Sequence, residues 1–135
     1  MALQKSPGGS AYPYYYKGGS LMGLHYGSFF NDEEALLARM QSEEEFITNS
    51  VRQTPLWIDF YETKLTDTIL NEFSGSMLCL QSHITKLAIV GCSCWDKRRL
   101  LKSLKCSGGE FQVPLRFFRD PEQAKTWLVS ESFKD

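Results

Sequence analysis

The run KLAIVGCSCWDK, residues 86–97, decides how the rest of the chain is to be read. Its first half, Lys86-Leu-Ala-Ile-Val-Gly91, is a short continuous apolar stretch closed by glycine. A strand with one wet face alternates apolar and polar residues, whereas a central strand of a parallel sheet is covered on both faces and reads as an unbroken apolar run. Its second half opens a helix over about Cys94 to Lys105, which sets Leu100, Leu101 and Leu104 against Arg98, Lys102 and Lys105 and stops at Ser107-Gly108-Gly109. Strand followed directly by amphipathic helix predicts a βα unit whose helix packs back across the sheet.

Working outward, the same alternation continues in both directions. Thr54-Pro55 marks a boundary, because the residue before proline is pushed out of the α region, and Leu56–Tyr61 reads as a buried strand. From Asp67 to Ile84 apolar residues recur at Ile69, Phe73, Met77, Leu80 and Ile84, which is helical spacing that Gly75 weakens without removing. Downstream, Val113–Phe118 is a strand. Asp120-Pro121-Glu122-Gln123 then starts a helix, with Asp as N-cap, Pro at the first helical position, and Ala124, Trp127 and Leu128 as its buried stripe. Upstream, Asn31-Asp32-Glu33-Glu34 begins a helix that ends near Asn49; Leu36, Met40 and Ile47 share a face, with Glu43, Glu44 and Glu45 mostly outside it. Tyr12–Tyr16 and Ser20–Tyr26 flank Lys17-Gly18-Gly19 as a hairpin, and Pro13 confines the first of these to a sheet edge. Residues 1–11, with Pro7, Gly8, Gly9 and two serines, are expected to fray. The prediction is a single α/β domain over residues 12–132, with a mainly parallel or mixed sheet of four to five strands and about four helices.

Composition narrows the function classes. A chain of 135 residues, 42% hydrophobic, suits one modest core, and two domains would leave each short of buried surface. The formal charge of −1 exerts no global pull on nucleic acid, and no nucleic-acid partner is expected. The charge is unevenly spread, however: residues 1–80 hold ten acidic and five basic side chains, residues 81–119 two acidic and eight basic. No apolar run is long enough for a membrane span, and MALQKSPGGS has no signal-peptide core, so a cytoplasmic protein without a transmembrane segment is expected. Cys79, Cys92, Cys94 and Cys106 read as reduced thiols. The lone C-x-C, even with His83, lacks the paired spacing of a zinc site, so no metal or cofactor is expected. Neither a G-x-S-x-G elbow, a phosphate loop nor a nucleophile–base pair is present, and no catalytic residue is assigned; His25 shows no acid or nucleophile beside it.

The order of elements, together with KLAIVGCSCWDK and VPLRFFRDPEQAKTWLV, resembles the STAS superfamily of sporulation anti-sigma-factor antagonists, and within it the branch related to CRAL-TRIO lipid-transfer domains. The resemblance covers roughly residues 55–130. It rests on Leu87–Gly91 before Trp95–Lys97, and on Arg116-Phe-Phe before a helix with a late Ala124 and Trp127-Leu128. It implies a non-catalytic bacterial module that binds a regulatory protein. Phosphoregulated members carry an Asp-Ser/Thr-Ser-Gly loop eight residues beyond an Asp closing the central strand. Here Asp59 and Asp67 keep that spacing and Thr68 follows, but Ile69 stands at the acceptor position and Leu70 at the glycine, so the phosphoryl switch is not inherited.

Two sets of site residues follow. The partner-binding or regulatory loops comprise Asp59, Thr63, Thr66, Asp67, Thr68, Cys92, Ser93 and Trp95, with Thr66-Asp67-Thr68 doubling as a helix N-cap and Thr66 or Thr68 as alternative phosphate acceptors. Arg98, Lys102 and Lys105 form a candidate anion-binding face. Two alternatives stay open: a small carrier holding a lipid-like or anionic ligand between sheet and helices, and a thiol-dependent redox protein using Cys92 and Cys94. Tyr12 and Tyr14–Tyr16 offer a sticky edge suited to homodimerisation.

Overall fold

The computed structural model describes residues 4–9, 11–12 and 14–130, so Pro13, on which the edge-strand expectation rested, lies outside the described residues. The elements run β1 (Gln4–Lys5), β2 (Ala11–Tyr12), β3 (Tyr14–Tyr16), β4 (Gly19–His25), α1 (Glu33–Ser50), β5 (Thr54–Asp59), α2 (Asp67–Leu80), a 3-10 turn (Gln81–His83), β6 (Ile84–Val90), α3 (Cys94–Cys106), β7 (Leu115–Phe118) and α4 (Pro121–Val129). β3 pairs antiparallel with β4 through a turn in which Lys17 (φ 45°) and Gly18 (φ 84°) both adopt positive φ, as a tight hairpin with the right twist requires. β4, β5, β6 and β7 then lie side by side in sequence order, all parallel. The domain is α/β with a five-stranded mixed sheet and four helices, as expected.

Sequential order determines where the helices go. Each of α1, α2 and α3 carries the chain one strand further in the same direction, and right-handed crossovers of one direction place all three on one face. Packing agrees. Met22, Leu24, Leu56, Ile58, Leu87 and Ile89 meet Leu36, Met40, Ile69, Phe73, Met77 and Leu100 in the main core. The alternate residues Leu21, Trp57, Ala88 and Val90 face the other way onto Ala124 and Leu128 of α4. The unbroken apolar run of β6 is therefore covered on both sides. Lys86, on the α4 face and 4% exposed, interrupts that run usefully: its ammonium donates to the carbonyls of Trp127 (2.9 Å) and Ser130 (2.8 Å), capping the end of α4.

Four expectations need correction. The apolar spacing carried helix α2 to Ile84, but the helix ends at Leu80 and Ile84 opens β6, paired with Thr54; a buried strand and a buried helix both want isoleucine, and spacing alone does not separate them. Leu101, counted with the buried leucines of α3, is 36% exposed. Glu43, placed outside the apolar face of α1, is fully buried on it, in line with Leu36, Met40 and Ile47. The segment expected to fray contains the β1–β2 ladder, and Ser6 is buried with its hydroxyl 3.3 Å from Glu43 Oε2. A backbone hydrogen bond at Gly8 also reaches Glu43, and a side chain at Gly8 would collide with that carboxylate. Glu43 Oε1 has no partner among the described residues, and burial pushes the carboxyl's pKa up.

Candidate partner-binding edge

Loops that follow parallel strands gather at one edge of the sheet, and here three of them are knitted together. The loops after β4 and β5 continue side by side as if still paired: the Ser28 amide donates to the Tyr61 carbonyl (2.6 Å), Phe30 to Glu62 (2.8 Å) and Lys64 back to Phe30 (2.8 Å). Ser28, Phe30 and Glu62 all hold positive φ (65°, 51° and 52°), a costly conformation for side-chain-bearing residues that persists only where surrounding contacts enforce it. Thr63 supplies part of that enforcement, its hydroxyl donating to Tyr26 O (2.8 Å) and accepting from the Phe29 amide (3.2 Å). The loop after β6 turns at Gly91 (φ 87°), where a Cβ would lie 2.8 Å from the Tyr61 nitrogen. The Tyr61 hydroxyl in turn donates to Arg119 O (2.8 Å), reaching the loop after β7.

Large aromatic side chains are exposed along this edge: Phe30 (60%) and Tyr61 (38%) on the loops, and Trp95 (69%) in the first turn of α3. Two of the helices that start here, α2 and α3, are capped by hydroxyls. Thr66 Oγ1 accepts from the Ile69 amide (3.2 Å) and donates to the Glu33 carboxylate; Ser93 Oγ accepts from the Asp96 amide (3.1 Å). Arg99 ties the two helix starts together, donating to Leu65 O (2.7 Å), Asp67 Oδ1 (2.8 Å) and Asp96 Oδ1 (3.2 Å), and Asp67 foremost holds its pKa above the ordinary arginine value. Between α2 and α3 runs an open cleft of about 580 Å³ that includes Asp67, Leu70, Trp95, Arg98 and Lys102. Arg99 is engaged by two carboxylates there. Arg98 and Lys102 form no ion pair among the described residues, so the cleft presents positive charge beside an exposed indole.

The fold thus brings together some predicted site residues and separates others. Asp67, Trp95, Arg98 and Lys102 share the cleft. Thr63 and Thr66 are partly buried at the edge as loop tie and cap, Ser93 caps α3 while itself exposed, and Thr68 is exposed in the first turn of α2. Ile69, at the acceptor position of the phosphoregulated loop, is fully buried in the core. Cys92 is half-buried against the core, and burial, with a smaller push from Asp96, takes its thiol up to about 12, which leaves it almost wholly protonated and a poor nucleophile at neutral pH. Lys105 lines a different cleft of about 410 Å³, walled by Leu101, Leu104, Phe111, Val113 and Leu115. Asp59 is turned to the α4 face, 8% exposed, with Oδ2 2.8 Å from His25 Nδ1. His25 therefore does have an acid beside it. The two are 34 residues apart, and the parallel register of β4 and β5 sets them level. Phe30 and Tyr61 were missed; the signal was an aromatic residue stranded in the polar stretches GSFFND and DFYETK.

No protein-family model, curated protein or solved structure matches the chain. Among the described residues no helix is long and apolar enough to cross a membrane, and no group of His, Cys, Asp or Glu is arranged to hold a metal.

Proposed function

We propose that this chain is a non-catalytic regulatory module of the STAS kind, acting in the cytoplasm of a bacterium by binding a protein partner at the edge formed by the loops after β4, β5 and β6. The observation that carries the reading is the exposure of Phe30 and Tyr61 on loops held by backbone bonds and strained residues, and of Trp95 in the first turn of α3. Exposed aromatics on a pre-organised surface cost little ordering entropy on binding and are the commonest anchors of protein interfaces. The cleft beside Trp95 suits a segment that pairs an apolar anchor with acidic side chains, which Arg98 and Lys102 would meet. Affinity capture from lysate of the source organism tests this. Trp95→Ala is expected to weaken retention of the partner by about thirtyfold, the loss of roughly 2 kcal/mol typical of an interface anchor, and Arg98→Glu to weaken it further. Identical captured sets for wild type and both variants would rule this edge out.

One observation favours a second reading, a small carrier. The cleft between α3, residues 109–113 and β7 is largely apolar, with Lys105 and Glu110 as its charged lining residues, fitting a ligand with an apolar body and a polar end that Lys105 would meet if anionic. Organic extraction of the purified protein followed by mass spectrometry would reveal a lipid-like passenger, lost on Leu104→Lys.

A further inference from the structure

The α4 face of the sheet holds a second site. α4 has nine residues and cannot span the face, so beside it a cleft of about 280 Å³ opens onto Tyr14, Gly23, His25, Trp57 and Lys125. The volume lies near the lower limit of small-molecule sites and suits a ligand of one ring. Trp57, only 9% exposed, forms part of its wall and lies across Gly23 so closely that a Cβ there would come within 2.6 Å of Nε1. The His25 ring meets Trp57 edge-on at 5.3 Å, and the Lys125 ammonium sits 5.2 Å from the Trp57 ring and 5.4 Å from that of Tyr14. Imidazole and ammonium are thus held against one indole. Glu122 approaches Lys125 only at 3.6 Å, and Lys125, 15% exposed at its side chain and flanked by the rings of Tyr14, Tyr16 and Trp57, lines the cleft.

Behind the histidine, Asp59 is 12% exposed at its side chain while that of His25 is 47% exposed. The carboxylate fits because residue 27 is glycine, where a Cβ would collide with Asp59 Oδ1. An ionised carboxylate only accepts, so Nδ1 carries the proton of the neutral imidazole and Nε2, on the side away from Asp59, keeps its lone pair. A buried acid that sets the tautomer of a reachable imidazole is the arrangement of a proton acceptor.

We propose that the Asp59–His25 pair is a proton-accepting site for a small flat ligand bearing an acidic hydroxyl, with Lys125 holding the oxyanion that forms. The ring of the ligand lies in the cleft between Tyr14 and His25. Its hydroxyl proton passes to Nε2, the O–H bond breaks with its electron pair left on oxygen, and the resulting imidazolium is stabilised by Asp59 while the oxyanion faces the Lys125 ammonium. Asp59 acts through His25 and is a positioning residue.

The probe is 4-nitrophenol, whose phenolate absorbs in the visible while its phenol does not. Added to the protein at a pH just below its own ionisation, it should develop the phenolate band in proportion to bound probe. The His25 ring signals should move with it, resolved by NMR because the chain has only two histidines. His83→Gln should leave the band unchanged, His25→Gln should abolish it, and Lys125→Met should weaken it about fivefold, the effect of losing one partly exposed ion pair. Asp59→Asn offers an amide N–H to Nδ1 and moves the ring proton to Nε2, so the band should vanish while nitrogen-15 NMR reports the switched tautomer in a folded chain. No phenolate band with the wild type, or an equal band with His25→Gln, would overturn the proposal.

Discussion

At the residue scale Glu43 is the sharpest conflict between local chemistry and position. Its place in the α1 stripe puts it among Leu36, Met40 and Ile47, and its carboxyl is buried with Oε1 unbonded among the described residues. Burial raises the folded pKa above the ordinary 4.5, outweighing the opposing contributions of Ser6, Gly8 and Arg39. The sign follows from proton linkage: above 4.5 the folded chain retains a proton that the unfolded chain has released, so this group's contribution to stability is greatest below 4.5 and declines as pH rises toward the raised folded value. Glu43→Gln, which keeps an acceptor for Ser6 and Gly8 but removes the charge, should be the more stable chain at neutral pH by on the order of 1 kcal/mol, with the difference shrinking on acidification. Urea unfolding across a pH series reads this directly; parallel curves for the two proteins would refute it. Nothing in the residue itself announces burial, since three consecutive glutamates read as a solvated face. The helical phase was the better guide than the charge.

At the scale of single elements, most of the architecture was legible because local signals agreed. Asp32, Thr66, Ser93 and Asp120 each cap a helix by accepting from a backbone amide two or three residues on. These are properties of a short stretch and need no tertiary knowledge. For the loop TKLTDT the cap function is thus met by Thr66, while Asp67 is used by Arg99. Thr66→Ala should cost about 1 kcal/mol and Thr66→Ser should be nearly neutral, since serine keeps the accepting oxygen; thermal melts separate the two, and equal losses would point to the threonine methyl. The element that resisted reading was the junction at Gln81–Ile84. There the helical repeat runs on in the apolar residues, and only pairing of Ile84 with Thr54 ends it.

At the scale of the whole molecule the two faces of the sheet are unequal. Three crossover helices cover one, and the other has α4 alone, docked on Leu21, Trp57, Ala88 and Val90 and stapled by Lys86. Lys86→Met should retain the packing volume but lose the charge-assisted caps, lowering stability by about 2 kcal/mol and raising amide exchange in residues 121–129 ahead of the strands; uniform exchange across the domain would contradict a local staple. Sequence alone determined the alternation of strand and helix, the double cover of residues 87–90, the helix caps and the hairpin turn. Each depends on residues near in the chain, where periodicity, glycine and capping oxygens act directly. Only tertiary structure decided what depends on register and handedness: Asp59 level with His25, Arg99 reaching Asp67, Phe30 and Tyr61 exposed on loops of the same edge, and Ser6 set against Glu43. Such contacts join residues roughly thirty or more positions apart, and a one-dimensional pattern carries no information about which strand lies next to which until the crossovers are closed.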